Sequence, residues 1–141
     1  MTQTRKPAQA YETKEILKTP IEENDEKFIK DNASMYLDTY QYLAGKTALY
    51  EKRGQMEGLV YCVLGLAGEA GELANKVKKT FGRNEPLDKK ALEKELGDIL
   101  WYVSQAAFEL GANLQGVGNK NLNKLWERKK KGVLTGSGDD R

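Results

Sequence analysis

Leu59, Val63, Leu66, Ala70, Leu73 and Val77 follow one another at alternating steps of four and three residues. The same spacing returns 33 positions later in Leu92, Leu96, Ile99, Val103, Ala106 and Leu110. At about 100° per residue such steps hold apolar side chains on one stripe of a helix, whereas a strand would need a period of two. The prolines are Pro7, Pro20 and Pro86, so neither stripe contains one and Pro86 falls between them. Two amphipathic helices joined by a short connection are expected to bury their stripes against each other as an antiparallel hairpin.

Each of these helices carries a pair of acids three residues apart, Glu69 with Glu72 and Glu95 with Asp98. Side chains at that spacing are neighbours on a helix surface and point the same way. Each pair falls roughly 60 to 80° to one side of its own stripe, in the same rotational sense. In an antiparallel hairpin the same sense maps to the same edge. Glu69 with Asp98, and Glu72 with Glu95, are also equidistant from the middle of the connection near Arg83 and Asn84. All four carboxylates are therefore expected in one cluster within a single chain.

Clustered carboxylates repel, and burying them adds several kcal/mol per uncompensated ion, roughly, unless a cation intervenes. An all-oxygen set suits hard ions such as Mg²⁺, Mn²⁺ or Ca²⁺, and carboxylates that leave room for water and substrate phosphates suit Mg²⁺ best. The chain has no histidine, so it cannot supply the Glu-x-x-His pairs of a di-iron bundle. The competing reading of any one Glu-x-x-Glu is a solvated helix face. Two copies at matching phase favour a site, while Glu57, Glu85, Asp88, Glu93 and Glu109 lack a matched partner and are expected at the surface.

The 141 residues make one domain, with a formal net charge of +2. That balance provides no global field to recruit nucleic acid or an acidic membrane. Cys62 is the only cysteine and lies among apolar residues, so it reads as a small buried hydrophobe and excludes an internal disulfide or a cysteine zinc cluster. No apolar run approaches a membrane span and the amino terminus lacks the hydrophobic stretch of a signal peptide, which makes a cytoplasmic setting the expectation.

Residues 1–23 read as a polar arm, 24–132 as the helical domain and 133–141 as a glycine-rich tail. Thr19-Pro20-Ile21-Glu22 resembles a capping box, so a first helix is predicted from there or from Asn24 to Arg53, with Gly54 as its stop. Its stripe is Ile29, Ala33, Tyr36, Tyr40, Leu43, Thr47 and Tyr50, with Gln41 and Lys46 off it. The second helix is predicted over Met56–Thr80. The third is capped by Asp88 and closed by Gly111, and the fourth spans Gln115–Lys131 with Gly132 after it. Gly65, Gly68, Gly71 and Gly97 interrupt the hairpin helices at about 1 kcal/mol each. A close approach of a second backbone or a ligand would offset that.

Gly65-Leu66-Ala67-Gly68-Glu69-Ala70-Gly71-Glu72-Leu73 and Glu95-Leu96-Gly97-Asp98-Ile99-Leu100-Trp101-Tyr102 resemble the two signature segments of the MazG-like nucleoside triphosphate pyrophosphohydrolases, in the all-α NTP pyrophosphatase superfamily. Asn121-Leu122-Asn123-Lys124-Leu125 and the end of the chain, 136–141, are similar to phage-type members in particular. The likeness runs from about Tyr40 to Arg141. It implies an all-α, four-helix bundle-like, oligomeric fold built around the hairpin. It also implies hydrolysis of an NTP or dNTP to the monophosphate and pyrophosphate on Mg²⁺, with Mn²⁺ as a substitute, held by Glu69, Glu72, Glu95 and Asp98. A phage-encoded member would work in its host's cytoplasm.

One glutamate would accept a proton from water, Glu72 ahead of Glu69. Lys76 shares the acidic edge one turn on and could meet the leaving pyrophosphate, or pair with Glu72 instead. Tyr102, four residues after Asp98, is a pocket candidate, and by resemblance Asn121 and Lys124 are nucleotide contacts. Trp101 and Trp126 read as packing residues. The alternative function is a non-catalytic helical interaction module whose acids bind a structural ion or a partner. Val60, Leu64, Ala67 and Ala74 make a second apolar side on the second helix, which points to a homodimer or homotetramer.

Overall fold

A computed structural model describes residues 35–83 and 85–133. The polar arm at 1–23, the start of the first predicted helix and the tail beyond Val133 lie outside them. Among the described residues there are four helices and no strands: α1 (Leu37–Lys46), α2 (Met56–Arg83), α3 (Lys89–Glu109) and α4 (Leu114–Lys130). The fold is all-α, as the spacing predicts. None of these helices is long and apolar enough to cross a membrane.

Asp88, Gly111 and Gly132 act where they were expected. The Asp88 carboxylate accepts a hydrogen bond from the Ala91 N–H at 3.0 Å and starts α3. Gly111 and Gly132 follow α3 and α4 at φ +65° and +70°, backbone that an L side chain rarely adopts. Asn113 caps α4 through the Gly116 N–H at 2.7 Å.

The first helix ends seven residues before Arg53, its predicted end. Its last turn tightens, with the Thr47 and Ala48 N–H groups donating to Ala44 O and Gly45 O at 3.0 and 3.3 Å, and side chains share these carbonyls: the Thr47 hydroxyl donates to Ala44 O at 2.7 Å and the Arg53 guanidinium to Gly45 O at 3.1 Å. The chain then turns through Lys52, at φ 54°, and Gly54, at φ 75°. Glu109 of α3 holds this loop, accepting from the Gly54 N–H at 2.6 Å and from the Tyr50 hydroxyl at 2.5 Å. The surface position expected for Glu109 is thus corrected, because two donors of the loop converge on its carboxylate. Gln41 has a comparable task. Its amide donates to Ser104 O and Ala112 O, at 3.2 and 3.1 Å, and accepts from the Leu114 N–H at 2.9 Å, tying α1 to the corner between α3 and α4.

The hairpin of α2 and α3 forms, but its seam is rotated from the predicted stripes. A Cβ built on Gly65 would lie 2.2 Å from the Tyr102 ring, and one on Gly58 would lie 2.8 Å from both the Glu109 carboxylate and Lys52 O. Cys62 and Gln105 are each 0% exposed. These positions pair at equal distances from the turn near residue 84, as do Glu69 and Asp98. Small residues of α2 therefore receive large polar or aromatic side chains of α3. The apolar stripes are displaced sideways, leaving Val63 49% and Leu96 53% exposed. Gly65 offsets its helix penalty by this approach within one chain. Gly68, Gly71 and Gly97 meet nothing within 4 Å, so the close approach expected at them is absent among the described residues.

Alanine favours a helix over glycine by about 1 kcal/mol. Gly71→Ala, into open space, should therefore raise stability by up to about that amount. Gly58→Ala should lower it by about 1 to 3 kcal/mol, because backbone and a tethered carboxylate stand in the way. Urea denaturation of the two variants checks the opposite signs.

Candidate active site

Half-way along the hairpin, Glu69 from α2 and Glu95 and Asp98 from α3 each offer a carboxylate oxygen, and the three oxygens lie within 4.8 Å of one another. Their settings differ. Glu95 is buried, Glu69 half-buried and Asp98 exposed. Lys76, a little under two turns beyond Glu69, places its ammonium 2.6 Å from Glu95 Oε1. The lysine thus pairs across the hairpin with Glu95 rather than along its own helix with Glu72.

Burial is the largest cause holding the Glu69 carboxyl above the ordinary carboxylate range, followed by the charges of Glu72, Asp98 and Glu95. A carboxyl held higher in the folded than in the unfolded chain binds its proton more tightly when folded. Its contribution to stability is present at low pH and is lost as pH rises through the raised value. The ionised centre is therefore one that a cation would relieve.

Glu72 departs from the expected four-carboxylate cluster. It is exposed and stands outside the group of three, although its charge still acts on Glu69 and Lys76. The physical reason is local. Glu95 is buried and already paired, so a fourth ionised carboxylate gains more from water than from crowding against three others.

An open cavity of about 340 Å³ borders the acids, lined by Glu69, Asp98, Trp101 and Tyr102. Tyr102 is thus where a pocket residue was expected. Its hydroxyl is pushed up to about 12, chiefly by hydrogen bonding to Tyr61 and then by burial. Trp101 also lines a larger cavity of about 640 Å³ with Thr47, Tyr50 and Tyr61. Glu69 and Asp98 of the acidic group border the smaller cavity, and Trp101 borders both.

The aromatic wall between the two is held firmly. The Trp101 indole N–H donates to Thr47 Oγ1 at 2.8 Å, and its ring meets Tyr102 edge-on at 5.0 Å and Tyr50 at 6.2 Å. Tyr50 stacks on Tyr61 at 4.9 Å. Trp101 is thus a packing residue that also faces the site, which its place three residues after Asp98 could have indicated. Tyr40 of α1 is raised by burial and then by the Asp98 charge. No local pattern pointed to it, since α1 reaches the acids only through tertiary packing.

Asn121 and Lys124 are exposed on α4 and are not among the residues lining the cavity at the acids.

The three carboxylates fit a hard divalent ion. They supply only oxygen, and one side of the group opens on a cavity where water or phosphate could complete the coordination.

The model of the MazG nucleotide pyrophosphohydrolase domain matches residues 61–133, a span that contains both acidic segments and α4. The "Gene 37 protein" of Mycobacterium phage L5 is 46% identical over 114 residues, covering 76% of this chain and 100% of that protein. No solved structure matches significantly. With both acidic segments inside the matched span and meeting in one centre, the chain belongs to the MazG nucleotide pyrophosphohydrolase domain family.

Proposed function

We propose that the protein is a Mg²⁺-dependent pyrophosphohydrolase that converts an NTP or dNTP to its monophosphate and pyrophosphate, with Mn²⁺ able to replace Mg²⁺. The observation that carries this reading is the convergence of Glu69, Glu95 and Asp98 beside an open cavity, in a chain of the MazG family. Those three side chains would hold the ion. When bound, it supplies charge neutralisation on the phosphates and makes water more acidic.

The residues divide the remaining work. Glu72, near Glu69 but outside the group of three, accepts the proton of the water that attacks the α-phosphorus, with Glu69 the second candidate. Water adds at phosphorus, the bond to the bridging oxygen breaks, and pyrophosphate leaves. Tyr102 and Trp101 shape the cavity, and the aromatic wall of the larger space would take the nucleoside, since Trp101 borders both. Asn121 and Lys124, exposed on α4, would contact the nucleotide, as the family resemblance implies.

A second copy of the chain is part of this proposal, as a homodimer or homotetramer. Leu64 is 68% and Val60 49% exposed on α2, and Ala67 and Ala74 of the same second side are exposed too, an apolar face of the kind that marks an interface.

Glu95→Gln should abolish both pyrophosphate release and the rise in melting temperature on adding millimolar Mg²⁺, an ion bound only by the native state. Glu72→Gln should lose turnover by about a hundredfold or more while keeping most of that rise. Thermal melts with and without Mg²⁺, beside a pyrophosphate assay over a panel of NTPs and dNTPs, check both. Full turnover by Glu72→Gln would remove the base role.

Light scattering at micromolar concentration should give a mass at least twice that of one chain, and Leu64→Asp should reduce it to a single chain. A wild-type mass near 15.8 kDa would contradict the oligomer.

A further inference from the structure

We infer that Lys76 is a positioning residue for the metal centre, holding the buried Glu95 carboxylate in the orientation that aims it at Glu69 and Asp98. The inference rests on the metal reading above and adds to it a role for a residue that is neither ligand nor base.

Glu95 is 6% exposed, and a carboxylate that removed from water needs partners on its oxygens. The Lys76 ammonium meets Oε1 at 2.6 Å, and a Glu95 oxygen lies within 4.8 Å of oxygens of Glu69 and Asp98. Glu95 is thus held between a cation and the acidic group. Lys76 reaches it across the hairpin, with its own side chain 38% exposed and the charges of Glu72 and Asp88 also acting on it. The ion pair is short, and it occupies one side of the carboxylate.

Two effects of this cation on an incoming metal ion oppose each other. Its charge repels the ion, and its ion pair with Glu95 fixes a ligand of the ion. The ammonium is part-exposed, so solvent and salt screen the repulsion. The carboxylate it fixes is buried and has no water to replace the lost bond, so the positioning effect is the larger. Partners that orient a ligand typically change metal affinity about ten- to a hundredfold.

The test is calorimetric titration of Mg²⁺ into nucleotide-free protein. Lys76→Met should bind Mg²⁺ about ten- to a hundredfold more weakly than wild type, with Lys76→Arg restoring much of the loss. Equal or tighter binding by Lys76→Met overturns the inference, because a purely repulsive or phosphate-contacting lysine gives that result. Should Lys76→Met fail to fold by circular dichroism, the ¹⁵N ammonium signal of Lys76 in wild type decides. Retention of that signal, protected at Mg²⁺ saturation, supports the inference, and its loss to solvent exchange overturns it. A wild type that binds no Mg²⁺ at all overturns the metal reading and this inference together, whereas tight wild-type binding with an unimpaired Lys76→Met overturns this inference alone.

Discussion

The close approach of α3 to the glycine and cysteine positions of α2 is the constraint on which the rest of the structure depends. Gly58, Cys62 and Gly65 make a shallow channel along one side of α2, and Glu109, Gln105 and Tyr102 lie along it. A helix with larger residues there would hold the two axes further apart. The consequence is a seam that is polar at its centre. Gln105 is buried with Ser104, bonds to it at 2.9 Å and receives the Arg53 guanidinium at 3.3 Å, so this part of the interior is tied by hydrogen bonds rather than by hydrocarbon alone.

The same line of residues continues into the acids, which explains why they are difficult neighbours. Farther along the hairpin the seam runs out of small residues and reaches Glu69 opposite Asp98. Each helix brings its carboxylates to the other because packing elsewhere has set the register. A centre assembled this way opposes its own ionisation, and Lys76 relieves only part of that opposition by pairing with Glu95. Stability and function pull in different directions at this point of the chain, as is usual where charged groups of one sign are gathered.

Much of this was legible in the sequence. The four-three spacing marked both hairpin helices, Asp88, Gly111 and Gly132 marked helix ends, and the paired acids marked the centre. The rotation of the seam was not legible, because apolar periodicity follows the hydrophobic residues while the contact line follows the small ones. The end of α1 was missed for a related reason. The tyrosine spacing continued through Tyr50, but the last turn closes on N–H groups three residues on, and Thr47 and Arg53 side chains share its carbonyls. Glu72 satisfied every rule of phase and height, yet its carboxylate is not one of the three that meet, although its charge acts on Glu69; spacing places a side chain on a face but does not set where its carboxylate ends. Glu109 and Gln41 carried no motif; their roles exist only once distant segments meet.

Glu109 gives α3 a further property. It fastens the loop after α1 through Gly54 and Tyr50, while Glu95 and Asp98 project from the same helix nearer its start. The helix rises about 1.5 Å per residue, so Asp98 and Glu109 stand roughly 16 Å apart along its axis. α3 thus acts as a ruler. The distance from the acidic centre to the loop anchor is graduated by a count of residues in one rigid rod, and inserting or deleting a single turn between them would move the loop after α1 relative to the acids.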